Sequence, residues 1–310
     1  MNNIEPISQT KLFGLDKFII ELIQLDKSNK LPSKILLSGQ KGLGKSTLAY
    51  HFINYALTKN EDFNYDINNF EININNSTFK TILNGSNPNL ITIDMNIDNK
   101  SIDINQIREL IIKLNKSSLN NKPRFVLIDN IEFLNLNSVN ALLKVLEEPS
   151  SNIYFILINN NKKILPTLLS RCINFKISLS NEENLKIATR LLNENVNKII
   201  NEDLINYYLT PGNLYKLLQF GIDNEYDLKN IKLKELLKLI IKNNHYKKDS
   251  LFKYQIYDFI EFYFTKIHLS MPNKVYEKYT YFLKRISDTK RFNLDEESLF
   301  IEFEEKILNG

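Results

Sequence analysis

The sequence has few of the residues that form covalent or metal cross-links. It contains one cysteine, Cys172, and three histidines, His51, His245 and His268. A single thiol excludes an intrachain disulfide and a multi-thiolate zinc site, and the histidines lie too far apart in the sequence for a metal-binding spacing. We therefore expect no zinc and no other structural metal.

Long apolar runs are missing as well. No stretch of about 18 or more apolar residues occurs without charges, which argues against a membrane span. Residues 1–10 lack the basic and then apolar pattern of a secretory signal. We therefore expect a cytoplasmic protein that does not contact a membrane.

Arginine is scarce, although the chain is slightly basic overall. The 40 basic and 36 acidic residues give a formal net charge of +4, which permits contact with nucleic acid without requiring it. Arginine occupies only positions 108, 124, 171, 190, 285 and 291. Because lysine is the usual cation of this chain, an arginine more often marks a position that needs a planar, two-pronged hydrogen-bond donor.

The length of 310 residues predicts two or three domains, because it exceeds what one hydrophobic core usually organises. Up to residue 178, helical and strand-like segments alternate, which predicts a parallel sheet covered by helices. The predicted strands are Lys34–Ser38, Asn89–Asp94, Arg124–Asp129, Ile153–Ile158 and Ile173–Ile177. Strand patterns then end, and we predict a helical domain at 179–240 and a second one at 241–310.

A phosphate-binding loop is predicted between the first strand and the following helix. Residues Gly39–Ser46 match the pattern G-x-x-x-x-G-K-[ST] in full. The glycines let backbone N–H groups face phosphates, Lys45 reaches the terminal phosphates, and Ser46 can bind magnesium. The pattern predicts a binding site for ATP or another nucleoside triphosphate; the alternative is a chance glycine loop. The predicted binding residues are Gly39, Gly42, Gly44, Lys45, Ser46 and Thr47.

Asp129, at the end of an apolar strand, is the second predicted element of this site. An acid in that position can hold the magnesium ion of a bound nucleotide through water. Ser46 and Asp129 are therefore the predicted magnesium residues. The alternative is an aspartate that only caps the next turn.

A phosphate loop alone leaves kinases, GTPases and motor ATPases open, so the family depends on further motifs. These are Lys30–Pro32 with Lys34–Gly39, Asn140–Pro149, the Ser-Arg-Cys stretch in Leu165–Cys172, Asn87–Leu90 and Ile104–Arg108. Through them, residues 8–178 resemble the AAA+ domain of bacterial DNA polymerase III clamp-loader subunits. The resemblance implies an α/β P-loop AAA+ fold followed by a helical lid and a helical collar.

The same resemblance implies cofactors and partners. The cofactors are ATP or ADP with Mg²⁺, and the partners are the gamma/tau and delta subunits, the sliding clamp and primed DNA. DNA contact is expected to be independent of base sequence and sensitive to salt, through lysines that follow the phosphate backbone. Arg171 corresponds to an arginine finger, which acts on a nucleotide held by a neighbouring subunit; the alternative is a surface arginine beside a buried Cys172.

Several positions depart from the hydrolysing subunits of that family. Those subunits place glutamate after the strand-end aspartate and carry a four-cysteine zinc module, whereas this chain has Asn130 and no such cysteines. Loss of a positioned base typically costs about 10²- to 10⁴-fold in rate, and Glu132 is the alternative base. Asn159 or Asn160 falls at the expected γ-phosphate sensor. In the stretch 212–216, Tyr215 replaces an arginine that reads nucleotide.

Two functions remain open from the sequence. The favoured one is a stator-like, delta-prime type of subunit that helps to load the sliding clamp onto primed DNA and supplies Arg171 in trans. The alternative is a hydrolysing clamp-loader ATPase of the gamma/tau type, or a related AAA+ remodelling ATPase, that uses Glu132 as its base. A P-loop small-molecule kinase is a more distant possibility.

Overall fold

The chain forms two compact units, residues Met1–Glu183 and Asn184–Gly310. A computed structural model describes residues 5–95, 101–116, 120–147, 152–206, 209–249, 251–270, 272–292 and 294–309. The predicted boundary at residue 178 lies close to the division between the two units. Among the described helices, none combines the length and the apolar character that a membrane crossing needs.

The first unit contains a five-stranded parallel sheet, which confirms the predicted α/β class. Its strands are β1 (Lys34–Ser38), β2 (Leu90–Ile93), β3 (Arg124–Ile128), β4 (Ile153–Asn159) and β5 (Ile173–Lys176). They lie in the order β2-β3-β4-β1-β5. The strands β1 and β3, which precede the two predicted phosphate-site motifs, are therefore separated by one strand, β4.

Helices cover both faces of this sheet. They are α1 (Asp16–Lys27), α2 (Lys45–Thr58), α3 (Ser77–Leu83), α4 (Ile104–Leu114), α5 (Leu136–Glu147) and α6 (Pro166–Leu169). Side chains of β1 alternate between two hydrophobic clusters: Ile35 and Leu37 pack with residues of α1 and α2, and Leu36 with residues of α4 and α5. This burial on both faces explains why the inner strands are continuous apolar runs.

The second unit is helical in its described residues. Its helices are α7 (Asn181–Leu192, which begins in the first unit), α8 (Val196–Ile199), α9 (Pro211–Asp223), α10 (Leu233–Lys242), α11 (His245–Lys248), α12 (Phe252–Ser270), α13 (Pro272–Phe292) and α14 (Glu296–Phe303). One hydrophobic cluster runs from Ala188 to Leu308. The predicted boundary at residue 240 falls within α10, so a separate lid and collar stay a prediction.

Aromatic residues make up about a third of the buried cluster of the second unit. Phe252, Phe259, Phe264, Phe300 and Phe303 are almost completely buried, and several of their rings meet edge to face. Such pairs stabilise a core beyond the area that they bury. The aromatic-rich stretch of α12 is therefore explained by packing.

Candidate nucleotide-binding site

The glycine loop follows β1 and leads directly into α2, in the predicted order. Its three predicted glycines all have positive φ angles, 155° at Gly39, 88° at Gly42 and 84° at Gly44. A Cβ atom on Gly39 would lie 2.3 Å from the carbonyl oxygen of Ile177, and one on Gly44 would lie 3.2 Å from Leu15. Backbone conformation therefore disfavours a side chain at all three positions, and close neighbours add to this at Gly39 and Gly44.

The N-terminus of α2 is open to an anion. The helix begins at Lys45, its cap position is Gly44, and no side chain caps it. The backbone N–H groups of Lys45, Ser46 and Thr47 have no partner within the helix, since they precede its first complete turn. Together with the helix dipole they form the kind of surface that binds phosphate.

Lys45 is a buried cation inside the loop. Its side chain is 3% exposed, and its Nζ donates to the carbonyl oxygens of Gly39 at 2.9 Å and Gln40 at 2.6 Å. Burial lowers the pKa of Lys45 to about 8, although the charges of Asp129 and Glu132 act in the opposite direction. An ammonium group has three hydrogens, and within the described residues Lys45 forms no ion pair. Its surroundings therefore favour an anionic ligand such as phosphate.

Ser46 and Asp129 meet at the base of the loop. The Oγ of Ser46 donates to Oδ2 of Asp129 at 2.5 Å, and the backbone N–H of Asn130 donates to Oδ1 at 2.7 Å. Burial raises the pKa of Asp129. Magnesium in nucleotide sites commonly takes one or two protein oxygens and completes its shell with phosphates and water. These two residues fit an ion delivered with the nucleotide.

A polar cluster lies beside Asp129, at the carboxyl ends of β2, β3 and β4. The side-chain amide of Asn130 donates to Asp94 at 2.7 Å, and the carbonyl oxygen of that amide accepts from Asn160 at 2.8 Å. Glu132 accepts from the side-chain amide of Asn160 at 3.1 Å and from its backbone N–H at 3.3 Å. We refer to Asp94, Asn130, Glu132 and Asn160 as the amide–acid cluster.

The two asparagines that end β4 have different surroundings. Asn159 is buried, and its side chain closes a turn by bonding to the backbone of Lys162. Asn160 instead joins the amide–acid cluster. Asp94 was not among the site residues predicted from the sequence. Its signal was an acid at the carboxyl end of a strand that turns out to neighbour β3.

Arg171 lies at the amino ends of the strands of the same sheet, opposite to the carboxyl ends where the glycine loop lies. It precedes β5, whose first residue is Ile173, whereas the glycine loop follows the last residue of β1. These parallel strands are paired in register, so the two positions are separated by the length of a strand, about 17 Å for five residues. Arg171 is therefore distant from the glycine loop of its own chain.

The guanidinium of Arg171 is held on the surface. Its Nη2 lies 2.5 Å from Oε1 of Glu147, and its Nη1 donates to the carbonyl oxygen of Thr167 at 2.8 Å. About a third of the arginine side chain is exposed (31%).

Cys172, the next residue, is half-buried against the sheet core, and burial raises the pKa of its thiol to about 11. Of the 140–149 motif, residues 148 and 149 lie outside the described part of the chain.

Tyr215 and Lys216, at the position where the resemblance implies an arginine that reads nucleotide, lie in α9 of the second unit.

Within the described residues, no group of three or more histidine, cysteine, aspartate or glutamate side chains could hold a metal ion.

Comparisons with known proteins identify the family of this chain. A family model described as "DNA polymerase III, delta subunit" matches residues 14–181. The DNA polymerase III subunit gamma of Buchnera aphidicola subsp. Schizaphis graminum is 32% identical over 183 residues, which are 58% of this chain and 47% of that protein. Subunit delta' of Pseudomonas aeruginosa is 29% identical over 139 residues, 44% of this chain and 40% of that protein.

Among solved structures, a DNA polymerase III gamma subunit-related protein from Thermotoga maritima aligns with 91% of this chain and 96% of its own, with a TM-score of 0.48 and 16% identity. The chain spans less than half the length of the two sequence relatives above. The family match, by contrast, covers more than half of the 310 residues and includes both the glycine loop and Asp129. The resemblance to clamp-loader subunits is thereby confirmed, and the chain belongs to the DNA polymerase III delta-subunit family.

Proposed function

We propose that this chain is a delta-prime type of clamp-loader subunit that binds nucleotide, hydrolyses it slowly or not at all, and supplies Arg171 to the site of a neighbouring subunit. The observation that carries the proposal is the position of Arg171. It is a partly exposed guanidinium at the amino ends of the strands, whereas the glycine loop of its own chain lies at their carboxyl ends. Such a group can act on a nucleotide only in another subunit.

Nucleotide binding is supported by the loop itself. The open N-terminus of α2, the buried Lys45 and the glycines that leave no room for side chains together fit the phosphates of ATP or ADP. Ser46 and Asp129 are the residues that would hold Mg²⁺. When bound, the ion neutralises part of the phosphate charge.

Weak hydrolysis is supported by Asn130. This residue follows Asp129, and its amide cannot accept a proton from an attacking water. Both polar ends of that amide are already bonded, the nitrogen to Asp94 and the oxygen to Asn160. Asn130 therefore serves to organise neighbouring side chains and not as a base.

A hydrolysing ATPase is the second candidate, because the charge of one nearby carboxylate acts on Lys45 in the loop. The charge of Glu132 acts on Lys45, and its oxygens are held by Asn160. Steady-state ATP turnover by the purified chain separates the two functions. Turnover that is substantial and is lost in both Lys45→Ala and Glu132→Gln would establish the ATPase and end the stator proposal.

The partners follow from the proposal. Gamma/tau and delta subunits, the sliding clamp and primed DNA are the expected components, and the arginine of one subunit would stabilise charge that develops on the nucleotide of the next. An arginine supplied in trans typically accelerates hydrolysis by about 10³- to 10⁵-fold. Family membership gives no support to the alternative of a small-molecule kinase.

The test is a reconstituted loader with Arg171→Ala in this chain. We expect the variant to bind nucleotide and to assemble like the parent, while ATP hydrolysis stimulated by clamp and primed DNA falls by at least about 10-fold. Arg190→Ala, which removes an exposed arginine of α7, is the matched control and should hydrolyse at the parental rate. Parental hydrolysis with Arg171→Ala in an intact assembly would refute the role in trans.

A further inference from the structure

The side-chain amide of Asn160 has no hydrogen left for a ligand. One hydrogen of its Nδ2 bonds to Oδ1 of Asn130 at 2.8 Å, and the other bonds to Oε1 of Glu132 at 3.1 Å. An asparagine amide has two hydrogens, so both are used. The backbone N–H of Asn160 also bonds to Glu132, at 3.3 Å. One residue therefore holds both oxygens of the Glu132 carboxylate.

The sheet order puts this carboxylate on the phosphate side of the site. Asn160 follows β4, and β4 lies between β1, which carries the glycine loop, and β3, which carries Asp129. Asn160 thus follows the strand that lies between the one leading to the glycine loop and the one leading to Asp129. The charge of Glu132 is also felt at Lys45, whose pKa it raises against the effect of burial. Lys45 lies just after β1 and Asn160 just after β4, which pairs with β1, so both lie at the carboxyl ends of the strands, where the loop would hold phosphates.

We propose that Glu132 sets the nucleotide preference of this site, by favouring a nucleoside diphosphate over a triphosphate. A third phosphate approaching Asn160 must displace Glu132 from the amide hydrogen, and it must do so next to a carboxylate of its own sign. The first two phosphates need only the backbone N–H groups of the loop and Lys45. The inference rests on the proposed binding of nucleotide, and it identifies which form the site retains.

The direction of the effect distinguishes this role from that of a base. A base acts on water, so its removal lowers turnover and leaves the relative affinities of ATP and ADP unchanged. A residue that competes with the third phosphate acts on binding, so its removal strengthens the binding of ATP and leaves ADP unaffected. Glu132→Gln is suited to the comparison, because it removes the charge and keeps the shape of the side chain.

The experiment is titration calorimetry of the purified chain with ADP and with a non-hydrolysable ATP analogue, both with Mg²⁺. We expect the parent to bind ADP more tightly. In Glu132→Gln, the ratio of the two dissociation constants should move toward the triphosphate by about 10-fold, the value of one hydrogen bond to a charged group. The affinity for ADP should change by less than about 2-fold. Glu132→Ala should shift the ratio in the same direction.

Glu109→Gln is the matched control, because Glu109 is an exposed acid on α4 of the same unit. It should preserve the parental ratio. An unchanged ratio in both Glu132 variants, or a parent that binds the two nucleotides equally, would overturn the inference while leaving nucleotide binding intact. Failure of the parent to bind either nucleotide would instead refute the proposed function. Thermal unfolding of each variant identifies any loss of folding.

Discussion

Asn130 donates its side-chain amide to Asp94 across the carboxyl ends of two neighbouring strands, at 2.7 Å. Its backbone has a φ of 55°, a conformation that asparagine tolerates better than most residues. The position after Asp129 is thus adapted to an amide in two ways. A glutamate placed there would adopt a strained backbone and bring its charge close to Asp94.

This arrangement predicts that a single substitution at position 130 does not increase ATP hydrolysis. Asn130→Glu alone should not raise ATP turnover of the isolated chain, since its carboxylate would be repelled by Asp94. The double variant Asn130→Glu with Asp94→Asn reverses the carboxylate–amide pair and should raise turnover by at least about 10-fold, the lower range for a positioned base. Asp94→Asn by itself is the control. Equal turnover in the single and double Glu variants would show that Asp94 does not matter.

The burial of Lys45 predicts that nucleotide affinity depends on pH in the alkaline range. Its pKa is lowered to about 8, so its charge is largely present at pH 7 and largely lost at pH 9. Because phosphate binds the charged form, affinity should weaken by about 10-fold between these two values.

Fluorescence titration with a labelled nucleotide measures this change. Lys45→Met should bind weakly and show little of the pH dependence. If the parent and Lys45→Met have parallel profiles, another group is responsible.

His51 predicts a loss of stability in mild acid. It is fully buried, its Nδ1 lies 3.0 Å from the hydroxyl of Tyr65, and its Nε2 lies 3.1 Å from the carbonyl oxygen of Gln9. Burial lowers the pKa of His51 from 6.5 to about 4. Between these values the unfolded chain binds a proton that the folded chain does not, so the free energy of unfolding falls as the pH falls from about 6.5 toward 4.

Urea denaturation at pH 7 and pH 5 tests this prediction. His51 should account for about 2 kcal/mol of the difference between the two pH values. His51→Gln lacks the titrating ring, and its free energy of unfolding should fall by correspondingly less. The same decrease in parent and variant would assign the acid sensitivity to other groups.

The sheet could be predicted from the sequence because its inner strands are buried on both faces and are therefore continuous apolar runs between turns. The glycine loop could be predicted as well, since its residues are consecutive in the sequence. The amide–acid cluster was not, because Asp94 and Asn130 are 36 residues apart and meet only once the strand order places β2 beside β3. The local structure around Glu132, the alternative base, is a short 3-10 turn, Ile131–Phe133.

The position of Arg171 in the sheet could not be predicted from the sequence either. The Ser-Arg-Cys motif identified the residue. Whether it lies at the same end of the strands as the glycine loop depends on the direction of β5 relative to β1. Its ion pair with Glu147, 24 residues earlier, has no local sequence signal. In the second unit, the helices follow from their periodicity, whereas their sharing of one hydrophobic cluster depends on tertiary packing.

The separation of Arg171 and the glycine loop gives the sheet unit a direction. Two copies related by a two-fold axis bury the same surface on each partner, and that surface would have to include both of these positions. Subunits that instead join the Arg171 end of one sheet to the glycine-loop end of the next follow one another head to tail, with the same polarity. In such a row the first and last members differ from all the others, because one has an Arg171 and the other a glycine loop without a neighbouring subunit.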